Sequence, residues 1–497
     1  MPGRSLLYKG SDEEHKHPGG KMRAKVVLGA GEARQAISPL LYGHFIENLG
    51  KCIYGGLLGH RGDGWVVNPE VKEALAALHP TVIRWPGGLF ADGYHWKDGV
   101  GPPHLRPVRP NRYWRRFGPF MGPRDPNSFG TDEFIELCRD VGAEPLINVN
   151  LATGTPAEAA EWVRYCRGRV PWWGVGNEQY GFWALGHCSP QEYARRYLEF
   201  RRAMLDADPD IRTMVVGTDG NYVPEWNRYV LDAVGEEADL LSFHVYLPGF
   251  ERILTYLHRE RRDPEGVYYA MVGAGAEVER RISWTEDTLR GSLGPHSHVR
   301  LALDEWNMWW KPSQTYRAVF GMREALAIAS ILNALHRNSH IVEMANIAQL
   351  VNVLGLILVE GDSVRLNSIY HPFLLFAREA GRFLVPVEVE VDSYCAPSLG
   401  AIRALDKVPY LDVSATLSLG KDRLAVFLVN RHLEQEMAVD VEWSDFLVLW
   451  AKLSSLTASS PAHREVRLEK SELPVTGSRL ELSLPPHSIA VLVIGNA

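Results

Sequence analysis

From about residue 40 to 375, short apolar runs alternate with stretches whose apolar residues recur at helical spacing. The runs at 42–47, 81–85, 145–150, 172–177, 213–218, 240–246, 299–305 and 344–351 read as strands. Between them VKEALAALH, TDEFIELCRDVG, PAEAAEWVRYCRG, SPQEYARRYLEFRRAMLDAD and FGMREALAIASILNALHRN read as helices. The fourth opens with Ser189, then Pro190 at the first helical position and Glu192 soon after, the signature of a helix N-terminus. Eight strands separated by helices predict an α/β (β/α)8 TIM barrel. A doubly wound sheet would give the same alternation, but no strand leads into a GxGxxG. The nearest string, VGAGAEVE at 272–279, has two of the three glycines and follows no clear strand.

After about residue 380 the pattern switches. VPVEVEVDSY, YLDVSATLSL, RLAVFLVNR, EMAVDVEW, REVRLEK, RLELSL and SIAVLVIG are short alternating strands between polar turns, which predicts an all-β, jelly-roll-like sandwich. A strand at 24–28 precedes the barrel and is expected to join that sandwich. The division expected is therefore a disordered extension at 1–21, a catalytic barrel at 36–378, and a sandwich built from 22–35 plus 379–497. Residues 1–21 are polar and lack the apolar core of a signal peptide.

Composition narrows the function classes. The chain has 497 residues, 53 Lys+Arg and 60 Asp+Glu, for a formal net charge of −7. That balance gives no support for nucleic-acid or anionic-membrane partners, which favour basic patches. The longest strongly apolar run, 353–359, is far too short to span a bilayer. Five cysteines without a CxxC argue against a disulfide scaffold or a cysteine zinc site and fit a cytoplasmic location. The 15 Trp fit either a large core or sugar stacking. HKH at 15–17 and HSH at 296–298 lack a third ligand of clear spacing, so no metal is expected, and no cofactor either. RGD at 61–63 reads as a turn, and no GxSxG elbow is present.

In a barrel, reactive side chains stand at the C-terminal strand ends. The strand-end positions carry Glu47, Arg84, Asn177 with Glu178, His244 with Tyr246, Asp304 with Glu305, and Asn346, Gln349 and Asn352. Glu178 and Glu305 each follow an apolar run among tryptophans, on strands four and seven, whose ends face each other across a barrel mouth. Two carboxyl groups on one bond are the minimal apparatus for glycoside hydrolysis, one held protonated and one ionised. Either alone is equally well a salt-bridged strand-end carboxylate.

The strings YGHFIENLGKCIYGG, IRWPGG-x-FADGYHWKDGVGP, GVGNEQYG, HVY, LALDEWNMWW and ANIAQLVNV occur in this order across residues 40 to 375. Together they resemble the α-L-arabinofuranosidases of glycoside hydrolase family 51. The resemblance implies a retaining enzyme that releases terminal α-L-arabinofuranosyl units from arabinose-containing oligosaccharides, with Glu178 as general acid/base and Glu305 as nucleophile. It implies that Asn177 binds the sugar 2-hydroxyl, that Glu47, Tyr246 and Gln349 line the furanose pocket, that Arg84 supports the nucleophile, that His244 stands near the acid/base and that Trp96 flanks the glycone. It also implies a homo-oligomer, often a hexamer.

Two positions depart from the family pattern. Leu89 stands where a small polar residue, Asn or Cys, usually touches the sugar, and Phe182 and Trp183 follow GNEQYG as an aromatic pair. The alternatives kept open are a shifted specificity (β-D-galactofuranosidase, β-xylosidase or endoglucanase) and a non-catalytic carbohydrate-binding barrel.

Overall fold

The structure, a computed structural model, describes residues 6–9, 22–62, 64–249, 253–311, 314, 316–475 and 477–496. Eight parallel strands close into a barrel in chain order: β1 (Gly43–Phe45), β2 (Val82–Trp85), β3 (Glu144–Val149), β4 (Trp172–Val175), β5 (Arg212–Val216), β6 (Leu240–Pro248), β7 (Arg300–Trp309) and β8 (Val342–Ala348). β8 pairs back to β1 through Asn346 and Gly43. One residue from each of β2 to β8 (Val82, Leu146, Trp172, Met214, Leu240, Ala302 and Met344) meets Leu40 in an apolar plug. This is the layered interior that makes such a barrel a packed core rather than a pore.

Each strand is followed by a helix: α1 (Pro69–Ala77), α2 (Thr131–Val141), α3 (Pro156–Cys166), α4 (Pro190–Leu205), α5 (Trp226–Val234), α6 (Ala274–Leu293), α7 (Met322–Arg337) and α8 (Tyr370–Glu379). Helices α1, α3 and α4 share one start: Asn68, Thr155 and Ser189 accept the backbone N–H of Glu70, Glu158 and Glu192, with Pro at the first position.

Helix α6 and the shorter helix Pro264–Val272 before it fall where the hydrophobic pattern predicts none. Gly273 and Gly275 lower the local helix propensity and mask the period. Gly275 has a packing reason, since a Cβ there would lie 2.5 Å from the Ser330 carbonyl oxygen on α7.

The second unit is two facing sheets. The first orders Leu6–Lys9, Val387–Glu390, Met22–Gly29, Met437–Ser444 and Arg479–Leu484. The second orders Arg467–Leu473, Trp450–Thr457, Ser488–Gly495, Arg423–Asn430, Leu411–Leu417, Phe383–Val385 and Gln35–Ala36. Alternating residues such as Val26, Val439, Val413 and Leu492 fill the space between them. Within the expected extension at 1–21, Leu6–Lys9 instead form an edge strand beside Val387–Glu390. Leu6 and Leu7 with Tyr8 supply the β-forming run that permits it. The HKH string lies outside the described residues.

Helix α7 is buried along nearly its whole length because it lies between the barrel and the second sheet, and its buried polar residues Ser330, Asn333 and His336 are hydrogen-bonded. His336 packs edge-on to Phe427, and Arg337 pairs with buried Asp412 (3.0 Å).

Candidate active site

The interior of β7 is where the chemistry concentrates. Successive strand residues normally point to opposite faces. In β7 one extra residue is inserted against both neighbours: Ser242 and His244 of β6 oppose Ala302 and Glu305, and the register to β8 also slips between Leu303 and Trp306. This bulge lets the consecutive residues Asp304 and Glu305 both reach Arg84 of β2. The Arg84 Nε lies 3.1 Å from Asp304 Oδ2, one Nη bonds Glu305 Oε1, and the other donates to Asn177 Oδ1 (2.6 Å). Asn148 of β3 accepts from the Nε at 3.4 Å. A fully buried guanidinium thus fixes one nucleophile-type carboxylate and its neighbouring amide in a single fork.

Tyr246 donates its hydroxyl to Glu305 Oε2 (2.8 Å). Across the mouth, Glu178 follows β4 on a turn with φ +55°. Its Oε1 faces His244 Nδ1 (2.8 Å), and its Oε2 accepts from the Trp183 indole (2.6 Å). An oxygen of Glu178, one of Glu305 and a ring nitrogen of His244 lie within 4.8 Å of one another. Carboxylates and imidazole are metal-ligand types. Here Arg84 and the imidazole, held between Glu178, Asp304 and Glu305, supply the balancing charge by hydrogen bonds and ion pairs.

Burial and charge split the titrations. For Glu178 burial pushes the pKa up, but the hydrogen bond and charge of His244, with Trp183 and Arg84, outweigh it and hold the group below its ordinary value. For His244 burial acts downward, but Glu305 and Asp304, with the hydrogen bonds to Asp304 and Glu178, carry it up to about 10. The pair therefore holds one proton at neutral pH, resting on the imidazole. Burial, then the charge of Glu305, raises Glu47 to about 7.

Glu47 follows β1 and Gln349 follows β8. Glu47 accepts from Phe90 N (2.8 Å) and from Gln349 Nε2 (3.0 Å). The Pro-Gly-Gly after β2 has a steric cause. A Cβ on Gly87 would lie 2.4 Å from Glu47 Cγ, and one on Gly88 would lie 2.5 Å from Glu305 Oε1. Leu89 comes next, half-buried at the rim.

The structure joins Arg84, Asn177, Glu178, His244, Tyr246 and Glu305 in one network and sets the Glu47–Gln349 pair beside it across Gly87 and Gly88. Trp96 does not join it. It opens a short 3-10 turn, stacks on Trp162 (6.0 Å, 7°) and bonds the Glu158 carbonyl of α3, beside a 790 Å³ surface groove lined by Lys97 and Arg164. The aromatic stack on α3 draws its ring away from the mouth. Sequence reasoning placed Asp304 at a strand end but gave it no role, and it passed over Ser242, which donates to Asp304 at 2.5 Å. It also passed over Asp92, which is buried, accepts from Gln179 beside Glu178 (2.9 Å), and is pushed up to about 8 by burial. The apolar positions beside Asp92 and Gln179 gave a signal, since neither residue suits a core without a partner. Trp309 meets Tyr246 edge-on, and Trp310 packs on Phe320 just past the strand.

Comparison with known proteins adds three findings. Family profiles described as "Alpha-L-arabinofuranosidase 1 domain" and "Alpha-L-arabinofuranosidase C-terminal domain" match residues 74–170 and 304–488. The chain is 30% identical to a probable α-L-arabinofuranosidase C of Aspergillus niger, over 92% of this chain and 94% of that one. It is similar in fold to the α-L-arabinofuranosidase of Thermotoga maritima in its arabinose complex (32% identity, TM-score 0.81, 95% and 100% of the two chains). It is likewise similar to the thermostable GH51 α-L-arabinofuranosidase of Thermotoga petrophila (31%, TM-score 0.80, 95% and 99%).

Proposed function

Because the chain belongs to the α-L-arabinofuranosidases of glycoside hydrolase family 51, and so is a glycoside hydrolase acting on arabinofuranosides, we propose that it works by double displacement with Glu305 as nucleophile and Glu178 as acid/base. The observation that carries this reading is the separation of the two carboxyl groups. Their nearest oxygens fall within 4.8 Å, close to the roughly 5–5.5 Å of retaining pairs and well short of the roughly 6.5–9.5 Å that leaves room for an attacking water.

Glu305 attacks the anomeric carbon while its other contacts, Arg84 and Tyr246, hold it in line. The bond from the sugar to the leaving oxygen breaks, and that oxygen takes the proton held by the Glu178–His244 pair. Once Glu305 is esterified its negative charge is gone. Glu178, whose pair with His244 is now without its proton, takes one from water, whose oxygen attacks the same carbon and frees Glu305. Asn177, held by Arg84, offers its amide to the sugar 2-hydroxyl, and Glu47 with Gln349 closes the furanose pocket. A terminal arabinofuranosyl unit, a cytoplasmic location and a homo-oligomeric assembly complete the reading. Light scattering tests the assembly.

The decisive experiment is Glu305→Ala. Turnover of p-nitrophenyl α-L-arabinofuranoside should fall almost to background, because no other group can form the covalent bond. Added azide should restore it and give a glycosyl azide of inverted configuration. Wild-type turnover in the variant would exclude Glu305 as the nucleophile.

A further inference from the structure

Glu178 is presented by the loop from Gly176 to Ser189, between β4 and α4. His244 and Trp183 fix the tip of its side chain. Where that side chain starts is a separate matter. The backbone at Glu178 holds φ +55°, a left-handed conformation that an L-residue keeps only where its surroundings enforce it. The Glu178 carbonyl accepts from Gly181 N (2.7 Å) and the Gln179 carbonyl from Cys188 N (3.2 Å), both inside the same loop.

A tie to the barrel wall comes from the next side chain. Gln179 is fully buried, and its Nε2 donates to Asp92 Oδ2 (2.9 Å). The amide lies under the turn itself, since a Cβ on Gly176 would come 2.5 Å from Gln179 Oε1. Asp92, also fully buried, is anchored in its turn. Its carbonyl accepts from Thr153 Oγ1 (3.1 Å), and Thr153 N donates to Asn150 (2.9 Å) on the loop after β3.

Asp92 belongs to the short segment after β2 that also meets the nucleophile. Gly88 lies against Glu305 Oε1, and Phe90 N donates to Glu47 (2.8 Å). One segment therefore touches both sides of the carboxyl pair: Glu305 directly, and Glu178 through its neighbour Gln179. A neutral acid suits that place. Burial pushes the Asp92 carboxyl up to about 8, so at neutral pH it keeps its proton and brings no second negative charge beside Glu178.

We propose that Asp92 is a positioning residue for the acid/base: through Gln179 it sets where Glu178 stands relative to Glu305. This role rests on the assignment of Glu178 made above.

The test compares kcat/KM, which reports the first displacement, on arabinotriose and on p-nitrophenyl α-L-arabinofuranoside. A sugar leaving group needs a proton from Glu178, and a nitrophenolate scarcely does. In Asp92→Ala the trisaccharide-to-aryl ratio should fall about ten-fold or more, part of the ~10²–10⁴-fold that general acid catalysis supplies. Asp92→Asn keeps an acceptor for Gln179 and copies the neutral acid, so its ratio should stay within about two-fold of wild type. Gln179→Met keeps the side-chain length, removes the donor and should match the Asp92→Ala ratio; it decides alone if Asp92→Ala misfolds. The double variant should be no worse than either single, as for two residues acting through one bond. Equal losses on both substrates in Asp92→Ala and Gln179→Met, or ratios within about two-fold of wild type, overturn the positioning role while Glu178→Ala still shows its own selective loss. So does an Asp92→Asn variant as impaired as Asp92→Ala. Equal losses on both substrates in Glu178→Ala overturn the acid/base assignment and this role with it.

Discussion

Trp183 donates its indole N–H to Glu178 Oε2 across 2.6 Å, so the carboxyl oxygen that His244 leaves open is capped by an aromatic side chain. Phe182, 84% exposed, and Tyr222 surround that indole at the mouth. The leaving oxygen must take the place of the indole hydrogen to receive a proton. Trp183→Phe keeps the ring and removes the donor. A hydrogen bond that favours the ionised carboxylate is lost, so the alkaline limb of the kcat/KM profile should move up by as much as about one pH unit. A profile that superimposes on wild type shows that the indole does not tune Glu178.

Glu178→Ala should separate substrates by leaving group. Activated aryl glycosides need little protonation and should retain far more activity than oligosaccharides, which should lose ~10²–10⁴-fold. Equal losses on both would remove Glu178 from the role of acid.

Gly88→Ala places a methyl carbon 2.5 Å from Glu305 Oε1. The carboxylate must shift, and displacement by about 1 Å costs on the order of 10²-fold in rate. Activity should fall by that order while Tm changes little. Retained activity would mean the loop yields instead of the nucleophile.

Leu89→Asn restores a hydrogen-bonding side chain at the rim, where the half-buried Leu89 offers none. The gain expected is a single hydrogen bond, about 0.5–1.5 kcal/mol, read as a rise in kcat/KM on aryl α-L-arabinofuranoside relative to other aryl glycosides. An unchanged ranking of substrates identifies Leu89 as a packing residue.

Stability should fall as pH rises from about 5 to 9. Buried Glu47 and Asp92 are raised to about 7 and about 8, so the unfolded chain gives up these protons first and is favoured progressively as pH climbs toward those values. His244, raised to about 10, contributes stability that is complete below its ordinary pKa and is lost as pH approaches 10. Differential scanning calorimetry should show Tm declining across this range, with a shallower slope in Asp92→Asn. A Tm that rises with pH contradicts the protonation states assigned.

The barrel was legible because both its periods are strong, and the carboxylate pair because each glutamate ends an apolar run that has no use for it. What stayed hidden depended on register and on side-chain reach. No pattern in LALDEWN announces that a bulge turns Asp304 inward beside Glu305. Trp96 stands in a string resembling a sugar site, yet Trp162 on α3 offers it a stacking partner that is visible only in three dimensions. Asp92 and Gln179 lie 87 positions apart, and nothing local links them.

The strand Met22–Gly29 pairs along its whole length with Met437–Ser444. Synthesis at about 5–20 residues per second separates the two by roughly 20–80 s. During that interval the strand emerges with its edges open while the whole barrel is made between it and its partner. The ends of the chain are thus the last parts to be reconciled. A nascent chain halted after α8 would carry a finished barrel with two kinds of unfinished surface: the edge of the first strand, and the outer face of α7 that awaits Phe427 and Asp412. Expression of such a truncated barrel should yield aggregates, because both surfaces are adhesive until the last hundred residues arrive.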